Sequence, residues 1–296
     1  MGGARHMAQR PRRRRWPVLV ACVLAVALAG GVLLAMRMQA SGNGNKADEM
    51  PSEAADVRRD QGQPNATAEQ RPDPQSVQPR KTELATLLAE GRVDSIRLVG
   101  DSITAGYGTD GYVDPDLAGE GDVIYDDGEG TVHRETSSEA QSWANEFRSY
   151  ASEHGVSRFV NAGINGAFMA GLAERPQAWL GEGADVIFVA LGTNDAGYYG
   201  PEEYRDASER ALAAAADACK ILVVVSPVSD LRPEPMLVEP AGSLGDILHQ
   251  ICEARGYLFV DARDAVAPEQ FSEDGLHPTT DGSLAIWACI CDTLDL

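Results

Sequence analysis

Five short apolar runs constrain this chain more than any other feature: Ser95–Val99, Arg158–Val160, Val186–Leu191, Ile221–Val225 and Tyr257–Val260. Each is nearly continuous, rich in Val, Ile and Leu, and bounded by Gly, Asp, Asn or Pro. Strands buried on both faces read this way, because neither face meets water and polar residues need not alternate. Between the runs lie stretches with helical character: about Glu139–His154, Gly171–Leu180, Glu202–Ala218, Leu244–Arg255 and Asp281–Cys291. The Glu202 stretch is alanine-rich, and Pro201 precedes it where a first helical turn tolerates proline. Strands alternating with helices of this length predict a parallel sheet covered on both faces. Ligands of such sheets bind beyond the carboxyl ends of the strands.

The first eighty residues have a different texture. Arg10 and Arg12 to Arg15 precede a twenty-residue run without charge, Pro17 to Met36, which ends at Arg37. As a helix rising about 1.5 Å per residue, it would cover the roughly 30 Å apolar core of a bilayer. The arginine excess on its leading flank puts residues 1–16 in the cytoplasm and the rest of the chain outside. Ala27-Leu28-Ala29 offers an alternative signal-cleavage site, but seven apolar residues follow it. Leu19-Val20-Ala21-Cys22 resembles a bacterial lipoprotein box, with only five apolar residues before the cysteine. All three readings place the body outside the cytoplasm. Residues 37–80, with Pro51, Pro64, Pro72, Pro74 and Pro79 among many polar residues, are expected to form a flexible, disordered linker. The body is then residues 81–296.

Charge excludes one class of partner. Residues 1–80 hold 12 basic and 7 acidic side chains, net +5, whereas residues 81–296 hold 13 and 38, net −25. A body that acidic repels phosphate backbones, so nucleic acid is not its partner.

Polar residues follow the strands from four places in the chain. Gly100-Asp101-Ser102-Ile103-Thr104 follows the first, Asn161-Ala162-Gly163-Ile164-Asn165-Gly166 the second, and Gly192-Thr193-Asn194-Asp195 the third; Asp274-Gly275-Leu276-His277-Pro278 comes shortly after the fifth. A lone Gly-Asp-Ser turn is usually a strand-to-helix connection with a cap. Together the pieces supply what acyl transfer needs. A serine hydroxyl becomes an effective nucleophile when a base takes its proton, and Ser102 sits at a strand end facing that role. His277 is the natural base, since imidazole as a class titrates near neutrality. Asp274, three residues earlier, can share its direction and hold its tautomer. The developing oxyanion needs preset donors: the Asn194 amide, and a Gly166 N–H that substrate can approach closely for want of a Cβ.

With these blocks in this order, residues 95–290 resemble the SGNH/GDSL hydrolase superfamily. Its four signature residues map onto Ser102, Gly166, Asn194 and His277, with Asp274 from its Asp-x-x-His motif. The resemblance implies a flavodoxin-like, three-layer α/β/α sandwich with a five-stranded parallel sheet. It also implies no cofactor and no metal, an oxyanion hole of Ser102, Gly166 and Asn194, and activity on esters or thioesters. The string Gly100–Gly108 is similar to that of some carbohydrate acetylesterases in the superfamily. The expectation is therefore a membrane-anchored, extracytoplasmic serine esterase acting on acyl esters, with acylated carbohydrate as the substrate. One rival passes the acyl group to a glycan hydroxyl; a second is a non-catalytic glycan-binding module.

Three weaker signals complete the reading. Asp110 to Glu135 is long, Gly-rich and acidic, without the regular spacing of a calcium loop, and is read as a solvated loop that walls the site. Ser229 to Ser243, with Pro233, Pro235 and Pro240, is read as the opposite wall, and His133, His154 and His249 as surface or structural. Outside the cytoplasm Cys219, Cys252, Cys289 and Cys291 can pair or remain buried thiols; Cys289 and Cys291, two apart on a helix, face different ways.

Overall fold

Each of the five apolar runs is a strand, and the five pair in parallel into one sheet. The computed structural model describes residues 80–233 and 236–296. The expected cytoplasmic segment, membrane run and nearly all of the linker lie outside these residues. Among the described residues no helix is long and apolar enough to cross a membrane.

In chain order the elements are α1 (Arg80–Ala89), β1 (Ser95–Gly100), α2 (Ser102–Ala105), α3 (Pro115–Ala118), β2 (Val123–Asp126), β3 (Val132–Arg134), α4 (Trp143–Glu153) and β4 (Arg158–Gly163). Then come α5 (Met169–Glu174), α6 (Pro176–Leu180), β5 (Ala184–Ala190), α7 (Pro201–Asp217), β6 (Cys219–Val225), α8 (Ala241–Arg255), β7 (Leu258–Val260) and α9 (Thr280–Leu294). The sheet runs β4-β1-β5-β6-β7. Numbered by its own strands this is the 2-1-3-4-5 order of flavodoxin-like folds, and the order reverses at β1. Folds of this order bind their ligands beyond the carboxyl ends of the strands at that reversal.

Alternate residues of one strand feed two separate cores, as the pleat requires. Val186 and Phe188 of β5 pack with α1, α4 and α9, whereas Ile187 and Val189 pack with α5 to α8. The result is a sheet between two helical layers. Phe147 of α4 shows how the first interface closes: its ring lies 4.9 Å from Phe188 and 5.3 Å from Trp287. Truncating such a buried ring to alanine costs about 3–5 kcal/mol.

Three features depart from the sequence expectation. The helix expected over Gly171–Leu180 is two helices, because Pro176 has no N–H to continue the ladder and Arg175 before it leaves the helical region (φ −132°, ψ 55°). The body begins with a helix, α1, which buries Leu84 and Leu88 against the sheet. The acidic stretch 110–135 is largely exposed, as expected, but it is not an irregular loop: it contains α3 and the antiparallel hairpin β2–β3. Arg97, buried in β1, straps that hairpin down by donating to the Ile124 carbonyl at 2.6 Å and the Trp179 carbonyl at 2.7 Å. Burial, reinforced by Arg158, lowers the Arg97 pKa to about 10, which leaves it charged at neutrality.

Candidate active site

The nucleophile candidate is set by a tight strand-to-helix turn. Asp101 caps α2, accepting the Ile103 N–H at 2.9 Å, and Ser102 is the first residue of that helix. The Tyr107 N–H closes the far end on the Ser102 carbonyl at 2.9 Å. This one-turn helix is pressed against the end of β4. A Cβ at Gly163 would sit 2.3 Å from the Ala105 nitrogen, so only glycine lets the two backbones meet. Asn161 braces the junction, donating to the Thr104 carbonyl at 3.0 Å and accepting the Gly163 N–H at 3.0 Å.

His277 comes to Ser102 from 175 residues away: its Nε2 lies 2.9 Å from Oγ, and its Nδ1 lies 2.7 Å from Asp274 Oδ2. The other Asp274 oxygen accepts the N–H groups of Leu276 and His277, both at 2.9 Å, and the Ser272 hydroxyl at 2.8 Å. Partial burial opposes the charge, but the His277 side chain, those N–H groups and Ser272 outweigh it and hold the Asp274 pKa well below the usual carboxylate range. With Asp274 charged, Nδ1 carries the proton and the Nε2 lone pair faces Ser102.

The remaining two signature residues converge on the same strand ends. Gly166 has φ +76°, a conformation that favours glycine, and nothing lies within 4 Å of where its Cβ would be. Among the described residues neither the Ser102 nor the Gly166 N–H has an intramolecular acceptor. Asn194 spends one amide proton on the Ala167 carbonyl at 3.0 Å and keeps the other.

Asp195, given no role by the sequence reading, joins these loops. Both its oxygens accept the Met169 N–H at 3.1 Å, which ties the segment after Gly166 to the segment carrying Asn194. Asp101 and Asp195 are both buried. Burial raises the Asp101 pKa to about 6; burial, with Asp101's charge nearby, raises that of Asp195 to about 7. Its place directly after Asn194, at the end of an apolar strand, is the one signal the sequence carries.

Both long segments flank these residues. Leu231 N–H donates to the Gly275 carbonyl at 2.7 Å, Arg232 to the Thr193 carbonyl at 2.7 Å, and Val238 N–H to the Ala196 carbonyl at 2.8 Å. The 229–243 segment thus bridges the histidine loop and the Asn194 loop. On the other side Asn165 donates to the Tyr112 hydroxyl at 2.8 Å, joining the glycine block to the 110–135 segment. His133 pairs with Asp116 at 2.5 Å, His154 caps α4, and His249 stacks on Phe259. The four body cysteines are free thiols, and burial pushes Cys219 up to about 11 and Cys252 to about 12. No group of three or more His, Cys, Asp or Glu side chains suited to a metal occurs among the described residues.

A catalytic-type Ser–His–Asp line at the carboxyl end of a 2-1-3-4-5 sheet defines the class: a serine-type ester hydrolase fold. Residues 98–285, more than half of the chain, match the GDSL-like lipase/acylhydrolase family, and the chain belongs to it. It is accordingly a carboxylic ester hydrolase. Among curated proteins no sequence matches significantly. Solved structures share the fold. LAE5, an α/β hydrolase enzyme from the metagenome of Lake Arreo, Spain, is 22% identical with a TM-score of 0.52, covering 68% of this chain and 95% of that one. Axe2, an acetylxylan esterase from Geobacillus stearothermophilus, is 21% identical with a TM-score of 0.50, covering 69% and 94%.

Proposed function

We propose that the chain is an extracytoplasmic serine esterase that removes short acyl groups from carbohydrate through an acyl-enzyme on Ser102. The observation that carries this reading is the Ser102–His277–Asp274 line, 2.9 and 2.7 Å, beside two unengaged backbone N–H groups. Ser102 Oγ attacks the ester carbon as its proton passes to His277 Nε2. The N–H groups of Ser102 and Gly166 and the free Asn194 amide proton receive the oxyanion, and Asp274 steadies the imidazolium. His277 then gives the proton to the departing alcohol. A water, deprotonated by the same nitrogen, cleaves the acyl-enzyme to the carboxylic acid and restores Ser102. The alcohol assignment is supported by the Gly100–Gly108 string and by the acetylxylan esterase among proteins of the same fold. The extracytoplasmic placement rests on the uncharged run Pro17–Met36 behind its arginines.

The test is hydrolysis of short- and long-chain chromogenic esters and of acetylated oligosaccharides by the full-length chain and its Ser102→Ala variant. The expected result is turnover that favours the acetyl ester, includes the oligosaccharide and vanishes in the variant. Turnover retained by Ser102→Ala overturns the nucleophile. Chromogenic turnover without deacetylation of any glycan overturns the substrate class. Acyl transfer to an added glycan in preference to water makes the protein a transferase. Protease protection of the body in intact cells would overturn its placement.

A further inference from the structure

We propose that Tyr107 is the positioning residue of His277, its ring aligning the imidazole and favouring the imidazolium that forms as Ser102 attacks. The proposal rests on His277 being the base in the reaction above. The two ring centroids lie 4.4 Å apart with planes inclined at 48°. That is inside the roughly 6 Å over which an aromatic face attracts a cation.

The chain around Tyr107 is built to keep that contact. Its N–H closes α2 on the Ser102 carbonyl at 2.9 Å, so one helical turn carries the nucleophile at its start and the partner of the base at its end. Tyr112 packs against the Tyr107 ring, 5.3 Å between centroids and 62° between planes. At Gly108 (φ +90°) a Cβ would lie 3.1 Å from the Pro278 carbonyl oxygen and 3.3 Å from His277 Cβ, so the turn rests on the backbone of the histidine loop. Two residues on, the Asp110 N–H donates to Thr280 Oγ1 at 2.9 Å, and the Thr280 hydroxyl donates to Asp110 Oδ2 at 3.2 Å. Tyr107 therefore sits in a segment laced to His277 and to the chain that follows it, Pro278 and Thr280.

The groups that face His277 divide the work. Asp274 holds Nδ1, Ser102 meets Nε2, and Asp101, the cap of α2, acts through its charge. The tyrosine ring meets the imidazole itself at a tilt, and 43% of Tyr107 remains exposed, so replacing it opens no core cavity.

The experiment compares the full-length wild type with Tyr107→Phe and Tyr107→Leu between about pH 5 and 9. Two rates are followed: kcat/KM for a short chromogenic ester, and modification of Ser102 by a fluorophosphonate. The second forms a phosphorus–oxygen bond to Oγ, expels fluoride and uses the same base. In Tyr107→Leu the acidic limb of both profiles is expected to move about half a unit to lower pH, the size of an exposed cation–π interaction. The plateau should fall about two- to fivefold. Tyr107→Phe keeps the ring and should keep the limb. A lowered plateau with an unmoved limb in Tyr107→Leu, or equal displacement in both variants, overturns the proposal. Labelling needs no ester turnover, so failure of the esterase reading and failure of this one are separate results.

Discussion

Ser102 and His277 lie 2.9 Å apart, yet the parts of the molecule that deliver them are held by different forces. The nucleophile side is built into the core. Asp101, Ser102, Asn161, Thr193 and Asp195 are all buried, at the ends of β1, β4 and β5. The base side is a loop, residues 272–278, pinned by hydrogen bonds around Asp274, whose side chain is 47% exposed. Packing fixes the first side, so disturbing it costs folding energy. Directional bonds fix the second, so disturbing it costs alignment and leaves the core intact. Substitutions on the two sides should therefore separate stability from turnover.

The largest effects test that separation directly. Ser102→Ala and His277→Ala should each lower kcat by more than about 10⁴-fold. Asp274→Asn keeps the shape of the loop but presents the wrong tautomer of His277, and a loss of about 10⁴-fold is expected, with a melting temperature lowered only modestly by the loss of one half-exposed carboxylate's charge. Wild-type turnover from Asp274→Asn would show that the exposed side does not hold the base. A collapse in melting temperature would show that it belongs to the core after all.

Asn194→Ala should lower kcat about 10²–10³-fold, with KM nearly unchanged, because in the proposed reaction the amide acts on charge that develops only in the transition state. A variant that loses affinity for the ester and keeps its rate would remove Asn194 from the oxyanion hole. Smaller again is the effect of a single methyl group. Gly163→Ala drives a Cβ to 2.3 Å from the Ala105 nitrogen and should destabilise the fold by about 1–3 kcal/mol in chemical denaturation. Glu273→Ala, exposed on the histidine loop, should stay within about 0.5 kcal/mol. Equal costs at the two positions would erase the contrast between the sides.

The nucleophile side was the more legible in the sequence, for the same reason that it is robust. Strands buried on both faces read as uninterrupted apolar runs, and each is followed at once by the residues it presents. The candidates Ser102, Gly166 and Asn194 are read by stepping off the ends of β1, β4 and β5, and Asp274 and His277 by their spacing. What stayed hidden depends on contacts between distant segments. The acidic stretch carries few apolar residues of its own, and its hairpin is held by Arg97 and by Arg175, which pairs with Asp127 and Glu129. Asp195 acquires its role only when Met169, 26 residues away, is brought to it. Tyr107 lies within Gly100–Gly108, but no spacing rule places its ring beside His277. The break at Pro176 is legible from the proline itself.

The two sides also differ in how they respond to pH. Asp101 and Asp195 have native pKa values raised to about 6 and about 7, mainly by burial, against an ordinary value of 3.8. Between about pH 4 and 7 the native state therefore binds more protons at these groups than the unfolded state. By linkage, their contribution to stability falls as pH rises through that window and stays low above it. Asp274 has the opposite sign. Its native pKa is depressed, so its contribution is present above about pH 4 and is lost on acidification below that. Thermal unfolding at pH 5 and pH 8 of the wild type, an Asp101→Asn/Asp195→Asn double variant and Asp274→Asn separates these terms. The wild type should melt lower at pH 8 by a few degrees, and the double variant should lose most of that difference. Asp274→Asn should retain it, because its carboxylate is ionised in both states at either pH. A pH dependence unchanged in the double variant would mean that the buried acids ionise at their ordinary values, and that the nucleophile side is less secluded from water than its packing indicates.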